Sequence, residues 1–445
     1  MFRPTGFADL AGKRVGIFGY GVEGRATFRR LEVLTNDIVV VDDAPGVADA
    51  VVTSEGGLDE LLSCDVVLKS PGIPRRRADV QSLESHGVTV TSSLNLWLHD
   101  VDRSRVVAVT GTKGKSTTSA LITFFLQSLD EPALLLGNIG APPYDPDVDT
   151  HSGWLVLEVS SFQCVDIDVA PRIVVVTSLG SDHLDWHGSL PEYVNDKLSL
   201  TRAAGEHVTL VTDGASLRAV TDQLGGDVTF VEPDATPLAK ALRLMGTHSN
   251  ANVALALRAT SLLTGRAPSD VYDRVLERAG QFTPLRGRLT LVGKEIVNGH
   301  ELRYVDDGLA TSALPAIAAL EVFADEPVAL IVGGFDRGVD YAPLALALGA
   351  RASRTVVLTI GAAGDRIGAE LRGVSPEVTR VSVSSMHEAV VEARASLPDG
   401  GVILLSPAAP SFDRYQNWEQ RSDDFTAEAR TLLSSHESLG GDSNS

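Results

Sequence analysis

Short apolar, β-branched runs alternate with longer polar segments through most of this chain, the pattern of parallel strands separated by crossover helices. Residues 14–18, 38–41, 66–68 and 88–91 form a first series of such runs, which predicts a small parallel sheet. A second series at 106–109, 154–158, 173–177 and 208–211 has longer intervals and predicts a larger central α/β domain. Around 281–288 a proline-containing turn breaks the rhythm, and a third series follows at 302–305, 328–332, 355–360 and 402–405. The last residues, SSHESLGGDSNS, have no periodicity and read as a disordered tail. The pattern thus predicts an α/β chain of three domains, 1–100, 101–285 and 286–433, with a tail at 434–445.

Length agrees, because 445 residues at about 150 per domain make roughly three. Charge narrows the partners. With 38 basic and 58 acidic residues the formal charge is −20, and no basic run interleaves with aromatics, so nucleic acid is not an expected partner. An anionic small substrate stays open, since a few cations and helix N-termini can dominate a pocket. Cys64 and Cys164 have neither disulfide-framework nor metal-ligand spacing and read as small buried hydrophobes. No apolar signal region opens the chain, and no stretch approaches the ~18 apolar residues of a membrane span, so the expectation is a cytoplasmic protein without membrane association.

Two glycine-rich segments carry the candidate chemistry. In VGIFGYGVEGRA, Gly19, Gly21 and Gly24 follow a predicted strand, and Asp42 and Asp43 end the next one, as in a dinucleotide-binding turn with its ribose-binding acid. NAD, another nucleotide and a purely structural turn all fit this motif.

VVAVTGTKGKSTTSALITFFL runs strand, loop, helix, and its loop is a shortened relative of G-x-x-x-x-G-K-[ST], with Val109 where the first glycine stands. Backbone N–H groups and Lys115 can surround a polyphosphate there, and Ser116 can bind Mg²⁺. A glycine turn without a ligand would leave Lys115 buried at a helix N-terminus without an anion. Glu158, ending the strand LVLEV, is placed as a second metal carboxylate, so metal-bound ATP follows. In TSLGSDHLDWHGSLPEYVNDKLSL, Asp182, His183, Asp185 and His187 cluster ahead of Lys197, which lies on a predicted helix. The cluster lacks transition-metal spacing; hard oxygen ligands with one His beside a phosphate loop suggest Mg²⁺ assisting phosphoryl transfer.

These residues resemble the Mur ligases, ATP-dependent amide ligases of peptidoglycan precursor synthesis that share a fold with folylpolyglutamate synthetases. GTKGKSTT resembles the family's G-T-x-G-K-[ST]-T loop, LEVSSFQ its E-x-S-S-F-Q strand end, SDHLDWHGSLPEYVNDK its D-H-L-D…Y…K segment, and GTHSNAN its G-x-H-N-x-x-N. SPGIP, GNIG, ELRYVDDGLAT, VGGFDRGVDY and LLSPAAPSFDRYQNWEQR resemble the glutamate-adding branch, in order along the chain.

The resemblance implies a Rossmann-like N-terminal domain, a central P-loop ATPase domain with a parallel-rich sheet, and a C-terminal Rossmann-like α/β domain. It implies that ATP phosphorylates the alanine carboxylate of UDP-N-acetylmuramoyl-L-alanine and that a glutamate amine attacks the acyl phosphate. Gly19, Tyr20, Gly21, Asp42, Ser70, Asn138 and Ser160 would then hold the uridine-linked substrate. Gly111, Thr112, Lys113, Gly114, Lys115, Ser116, Thr117, Asn252, Arg288 and Asp307 would contact ATP. Ser116 and Glu158 would serve one Mg²⁺, and His183 with Lys197 another, Lys197 standing where the family carries a carbamylated lysine. Lys115, Glu158, His183 and Lys197 form the implied catalytic set, and Thr311, Arg337, Ser411 and Trp418 the implied glutamate site.

The departures gather at the glutamate end. Leu309 stands for a lysine in D-S-K-A-T, Gly287 for the His before Arg288, Arg337 for a Lys, Trp418 for Phe and Ser422 for Gly; Lys113 replaces an Asn in the loop. Inverting glutamate's α-carbon swaps which carboxylate faces a given cation, so losing the charge at 309 points to L-glutamate over D-glutamate. A variant of the branch that adds L-glutamate and relies on a separate epimerase shares the GTKGKST loop, which implies a functional link to such an epimerase. D-glutamate addition, an NAD-dependent oxidoreductase, a non-catalytic nucleotide-binding regulator and a folate-type ligase are the competing readings.

Overall fold

The computed structural model describes residues 2–440, with side chains through Ser434. Its apolar runs pair into three sheets. The first contains β1 (Val15–Phe18), β2 (Ile38–Asp42), β3 (Val51–Val52), β4 (Val66–Lys69) and β5 (Thr89–Thr91), all parallel in the order β3-β2-β1-β4-β5. The second contains β6 (Val106–Thr110), β7 (Ala133–Gly137), β8 (Trp154–Glu158), β9 (Ile173–Val176), β10 (Val208–Thr212) and β11 (Asp227–Val231), all parallel in the order β11-β10-β9-β6-β8-β7.

The third sheet contains β12 (Thr290–Val297), β13 (His300–Asp306), β14 (Val328–Gly333), β15 (Thr355–Ile360), β16 (Thr379–Ser382) and β17 (Gly401–Leu405), in the order β12-β13-β17-β14-β15-β16. Only β12 runs antiparallel, paired to β13 through a two-residue turn at Asn298 (φ 50°) and Gly299 (φ 87°). Both residues need the left-handed region, which is why Asn-Gly suits this hairpin.

Helices cover both faces of the sheets, so the central strands are buried on both sides and read as unbroken apolar runs. Every residue of β6, VVAVT, is buried, and each buried Val side chain contributes about 1.5–3 kcal/mol. One cluster joins the first two sheets: Val15, Ile17 and Val66 pack with Leu94, Leu96 and Leu98 and with Val106, Leu155 and Val174. The described residues accordingly divide into two compact units, 2–242 with Thr247–Phe282, and Arg243–Gly246 with 283–440. The first holds two sheets, and the second holds the mixed sheet, with an apolar cluster on each of its faces.

Helix Trp418–Gly440 continues across position 434, where the sequence pattern places the start of a tail. Residues 441–445 of that tail lie outside the described residues.

Candidate active site

Strand β6 ends at Thr110, and the chain turns through Gly111 (φ 140°) and Gly114 (φ 88°) into helix Lys115–Ser128. A side chain at 111 would place its Cβ 2.1 Å from Thr177 Oγ1, and one at 114 would sit 2.6 Å from Asn252 Oδ1. The loop therefore passes close to two neighbours that only glycine admits. No side chain caps the helix N-terminus, so the first-turn N–H groups, with Ser116 and Thr117, face the loop as an anion-binding end. The Lys113 backbone is fixed by Ser178 Oγ, which accepts from its N–H at 2.8 Å, and Thr177 Oγ1 donates to its carbonyl at 2.5 Å. Lys115 Nζ donates to the carbonyls of Gly111 (2.9 Å) and Thr112 (3.2 Å), while Lys113 Nζ lies 3.2 Å from Asp182.

Lys197, on helix Leu190–Leu198, is 1% exposed and donates to the same Gly111 carbonyl at 3.0 Å. Burial, with the charges of Lys115 and Lys113 adding to it, pushes its amine pKa down to about 7. Its ammonium stands 5.0 Å over the ring of Tyr193, whose hydroxyl is 2.7 Å from Thr112 Oγ1. The structure thus gathers the loop, Lys197 and Asn252 at one place.

His183 joins this group only through Asp182, whose carboxylate lies 3.8 Å from its Nε2 and 3.2 Å from Lys113 Nζ. Its side chain is exposed, its ring centroid is 4.9 Å from that of Phe162, and it makes no hydrogen bond or ion pair with Lys197 among the described residues. His187, grouped with it by sequence, is fully buried between Asp196 (Nδ1, 2.8 Å) and Ser161 (Nε2, 3.0 Å), and burial lowers its pKa. Arg76 closes this network with two bonds to Asp196, so His187 braces the Lys197 helix. Tyr193 is the Y of the D-H-L-D…Y…K segment, but its bond to Thr112 and the network of His187, Asp196, Ser161 and Arg76 join segments far apart in sequence and are not signalled by spacing.

Glu158 ends β8, opposite Val109 in register, on the strand next to the one that feeds the phosphate loop. Oε1 accepts from Asn138 Nδ2 at 2.6 Å, while Oε2 is buried with no hydrogen-bond partner among the described residues. A buried carboxylate oxygen without a donor is costly, and a divalent cation would satisfy it. Among the described residues no three His, Cys, Asp or Glu side chains gather to hold a metal. The donor set therefore fits Mg²⁺ that takes one carboxylate, the Ser116 hydroxyl and phosphate oxygens, and not an all-protein cage.

The first glycine loop is built differently. Gly19 (φ 94°) leaves no room for a Cβ against Ser70, whose hydroxyl donates to the Gly19 carbonyl at 2.6 Å, and a Cβ on Gly24 would meet that same carbonyl oxygen at 2.1 Å. Gly21 has open space around it. Asp42 accepts from the backbone N–H groups of Tyr20 (2.6 Å) and Ala44 (2.9 Å), shaping the loop with both oxygens. Glu23, in the helix that follows, accepts from Tyr144 and Gln163, and burial raises its pKa. Gln163 also accepts from Ser160 N–H, and Ser160 Oγ accepts from Gln163 N–H, a capping box on helix Ser161–Cys164.

In the second unit the loops after β13, β14 and β17 carry Asp307 and Thr311, Arg337, and Ser411. Asp307 accepts from Ser406 Oγ at 2.8 Å, and burial pushes its pKa up to about 7. Arg288 lies on the same side of this unit and adds an opposing charge effect on Asp307. Gly287 (φ 66°) would place a Cβ 2.6 Å from the ring of Trp418, and its carbonyl accepts from Leu309 N–H. Of three departures at the glutamate end, Gly287 thus adjoins both Leu309 and Trp418. Arg337 stands 5.7 Å over the ring of Phe412.

Among the described residues no helix is long and apolar enough to cross a membrane. Residues 109–226 match the family model of the Mur ligase middle domain. A UDP-N-acetylmuramoyl-L-alanine--L-glutamate ligase from Micromonospora sp. is 39% identical, covering 95% of this chain and 98% of the relative. The protein of that name from Salinispora tropica is 38% identical over the same shares. In fold the chain is similar to UDP-N-acetylmuramate-alanine ligase from Thermotoga maritima, with TM-score 0.54 at 18% identity, covering 94% of this chain and all of the other.

Proposed function

The chain belongs to the Mur ligase family, and we propose that within it this protein joins L-glutamate to UDP-N-acetylmuramoyl-L-alanine at the expense of ATP. The observation that carries the reading is the lysine-rich phosphate loop beside a buried, half-unsatisfied Glu158 carboxylate. An oxidoreductase or a passive nucleotide binder has no use for that arrangement.

In the proposed reaction the substrate's alanine carboxylate attacks the γ-phosphorus and ADP departs. The free amine of glutamate then attacks the acyl carbon, a proton leaves the nitrogen, and inorganic phosphate is released. Lys115 and the first-turn N–H groups stabilise charge on the phosphoryl oxygens, and the Thr177 and Ser178 hydroxyls hold the loop rigid while they do so. Mg²⁺ held by Ser116 and Glu158 would supply further neutralisation of those oxygens.

At Lys197 we place a carbamate: the neutral amine bonds to the carbon of CO₂ and loses a proton. A cation buried beside Lys115 becomes an anion, which turns a repulsion into an attraction. His183, whose Nε2 lies 3.8 Å from Asp182 Oδ1, would join it as a metal ligand. The first loop holds the uridine-linked substrate at Gly19, Tyr20, Gly21, Asp42 and Ser70, with Asn138, which donates to Glu158, and Ser160, two residues beyond Glu158. Asn252, Arg288 and Asp307 contribute to ATP, and Thr311, Arg337, Ser411 and Trp418 to glutamate. L-handedness rests on the uncharged Leu309 and on the Gly287–Trp418 contact, and it implies a separate epimerase acting on the product.

The test offers L- or D-glutamate separately to purified protein with UDP-N-acetylmuramoyl-L-alanine, ATP and Mg²⁺, reading ADP and product mass. Product with L-glutamate alone is expected. Product with D-glutamate alone keeps the ligase and overturns the handedness, and no product with either overturns the proposed function.

A further inference from the structure

Arg421 is a buried cation without a carboxylate. It is 2% exposed, and among the described residues no Asp or Glu oxygen lies within ion-pair distance of it. Its guanidinium instead donates to three main-chain carbonyls: Nη1 to Gly333 (3.3 Å) and Ala409 (3.0 Å), and Nη2 to Gly308 (3.1 Å). Those carbonyls belong to the segments that leave β14, β17 and β13, three strands adjacent in the sheet.

The same three segments carry Arg337, Ser411 and Thr311 a few residues further on, and Trp418 lies one turn before Arg421 on its own helix. One planar fork thus ties together every segment assigned to glutamate. The backbone closes tightly around it: a Cβ at Gly334 (φ 136°) would lie 3.1 Å from Nη1 and 2.2 Å from the Pro410 carbonyl, and one at Gly308 would lie 2.1 Å from Ser422 Oγ. Burial pulls the guanidinium pKa down to about 10, so it still carries its charge at neutral pH.

We propose that Arg421 is a positioning residue for the amino-acid substrate, holding the four ligand-bearing segments in register through its fork on the Gly308, Gly333 and Ala409 carbonyls. The proposal rests on the assignment of glutamate to this unit. Lysine keeps the charge but is a single point donor that cannot span three carbonyls, and misplacing ligands by a fraction of an ångström weakens binding of the group they hold.

Steady-state kinetics of Arg421→Lys, with melting temperature measured alongside, tests this. The expected result is a rise of about tenfold in KM for glutamate, with KM for ATP and for the uridine-linked substrate within about twofold of wild type. Unchanged KM for glutamate in a folded variant overturns the proposal, as does an equal loss across all three substrates, which marks a merely structural arginine. If Arg421→Lys does not fold, Arg421→Gln, which keeps two donors, replaces it; failure of both to fold also overturns the proposal. Wild type run in parallel separates the two claims. If it makes no product with either glutamate enantiomer the assignment of substrate fails, whereas glutamate turnover with an indifferent variant sinks Arg421 alone.

Discussion

Two loops in the first unit have the same local architecture and different electrostatics. Each follows an inner strand of a parallel sheet, turns on at least one glycine with positive φ, and feeds a helix whose N-terminus no side chain caps. Around the loop after β6 stand Lys113, Lys115 and Lys197, with an orphaned carboxylate oxygen on the neighbouring strand. At the loop after β1, by contrast, the Tyr20 N–H is taken by Asp42, and the glycine carbonyl accepts from a serine. Both can approach a phosphate, but only the second concentrates the positive charge that phosphoryl transfer needs. A glycine pattern therefore specifies a shape, and the side chains brought to it from elsewhere decide the chemistry.

The sharpest way to break the contrast is to remove the second loop's buried amine. Lys197→Ala is expected to lower kcat by roughly a hundred- to a thousand-fold, with partial recovery on adding small carboxylates. Full activity of the variant would remove the proposed metal role.

Matched glycine substitutions come next. Gly111→Ala forces a Cβ to 2.1 Å from Thr177 Oγ1 at φ 140°, which should cost about 1–3 kcal/mol of stability and most ATP turnover. Gly21→Ala meets open space, so denaturant unfolding should move by less than about 0.5 kcal/mol, with an effect confined to KM for the uridine-linked substrate. Equal losses in the two variants would erase the distinction between the loops.

The smallest effect is a pH slope. Burial raises the pKa of Glu23 beneath the first loop, so the folded state holds a proton that the unfolded chain has released. That contribution is fully present below the unfolded carboxyl pKa and is lost as pH rises through the folded one. The stability of wild type relative to Glu23→Gln should therefore decline as pH climbs from about 4; a flat difference would contradict the burial argument.

Periodicity exposed the central strands because strands buried on both faces read as unbroken Val, Ile and Leu runs. It missed β3, β7, β11, β12 and β16 for identifiable reasons. β3 is two residues long, β7 reads ALLLG with Leu134 exposed, and β11, β12 and β16 are sheet-edge strands with mostly half-buried positions. The Asn298-Gly299 turn was a readable sign of the β12 hairpin. At the site, the phosphate loop is contiguous and therefore legible. Lys197 meets Gly111 across 86 positions, and Arg421 finds its partners in backbone carbonyls, which leave no mark in side-chain identity.

The central claim is that the second loop drives transfer of a phosphoryl group to the substrate's carboxylate. Labelling the alanine carboxylate of UDP-N-acetylmuramoyl-L-alanine with ¹⁸O and analysing the phosphate released during glutamate addition tests it most directly. One labelled oxygen should appear in the phosphate for each amide bond formed. Amide product accompanied by unlabelled phosphate would contradict the account.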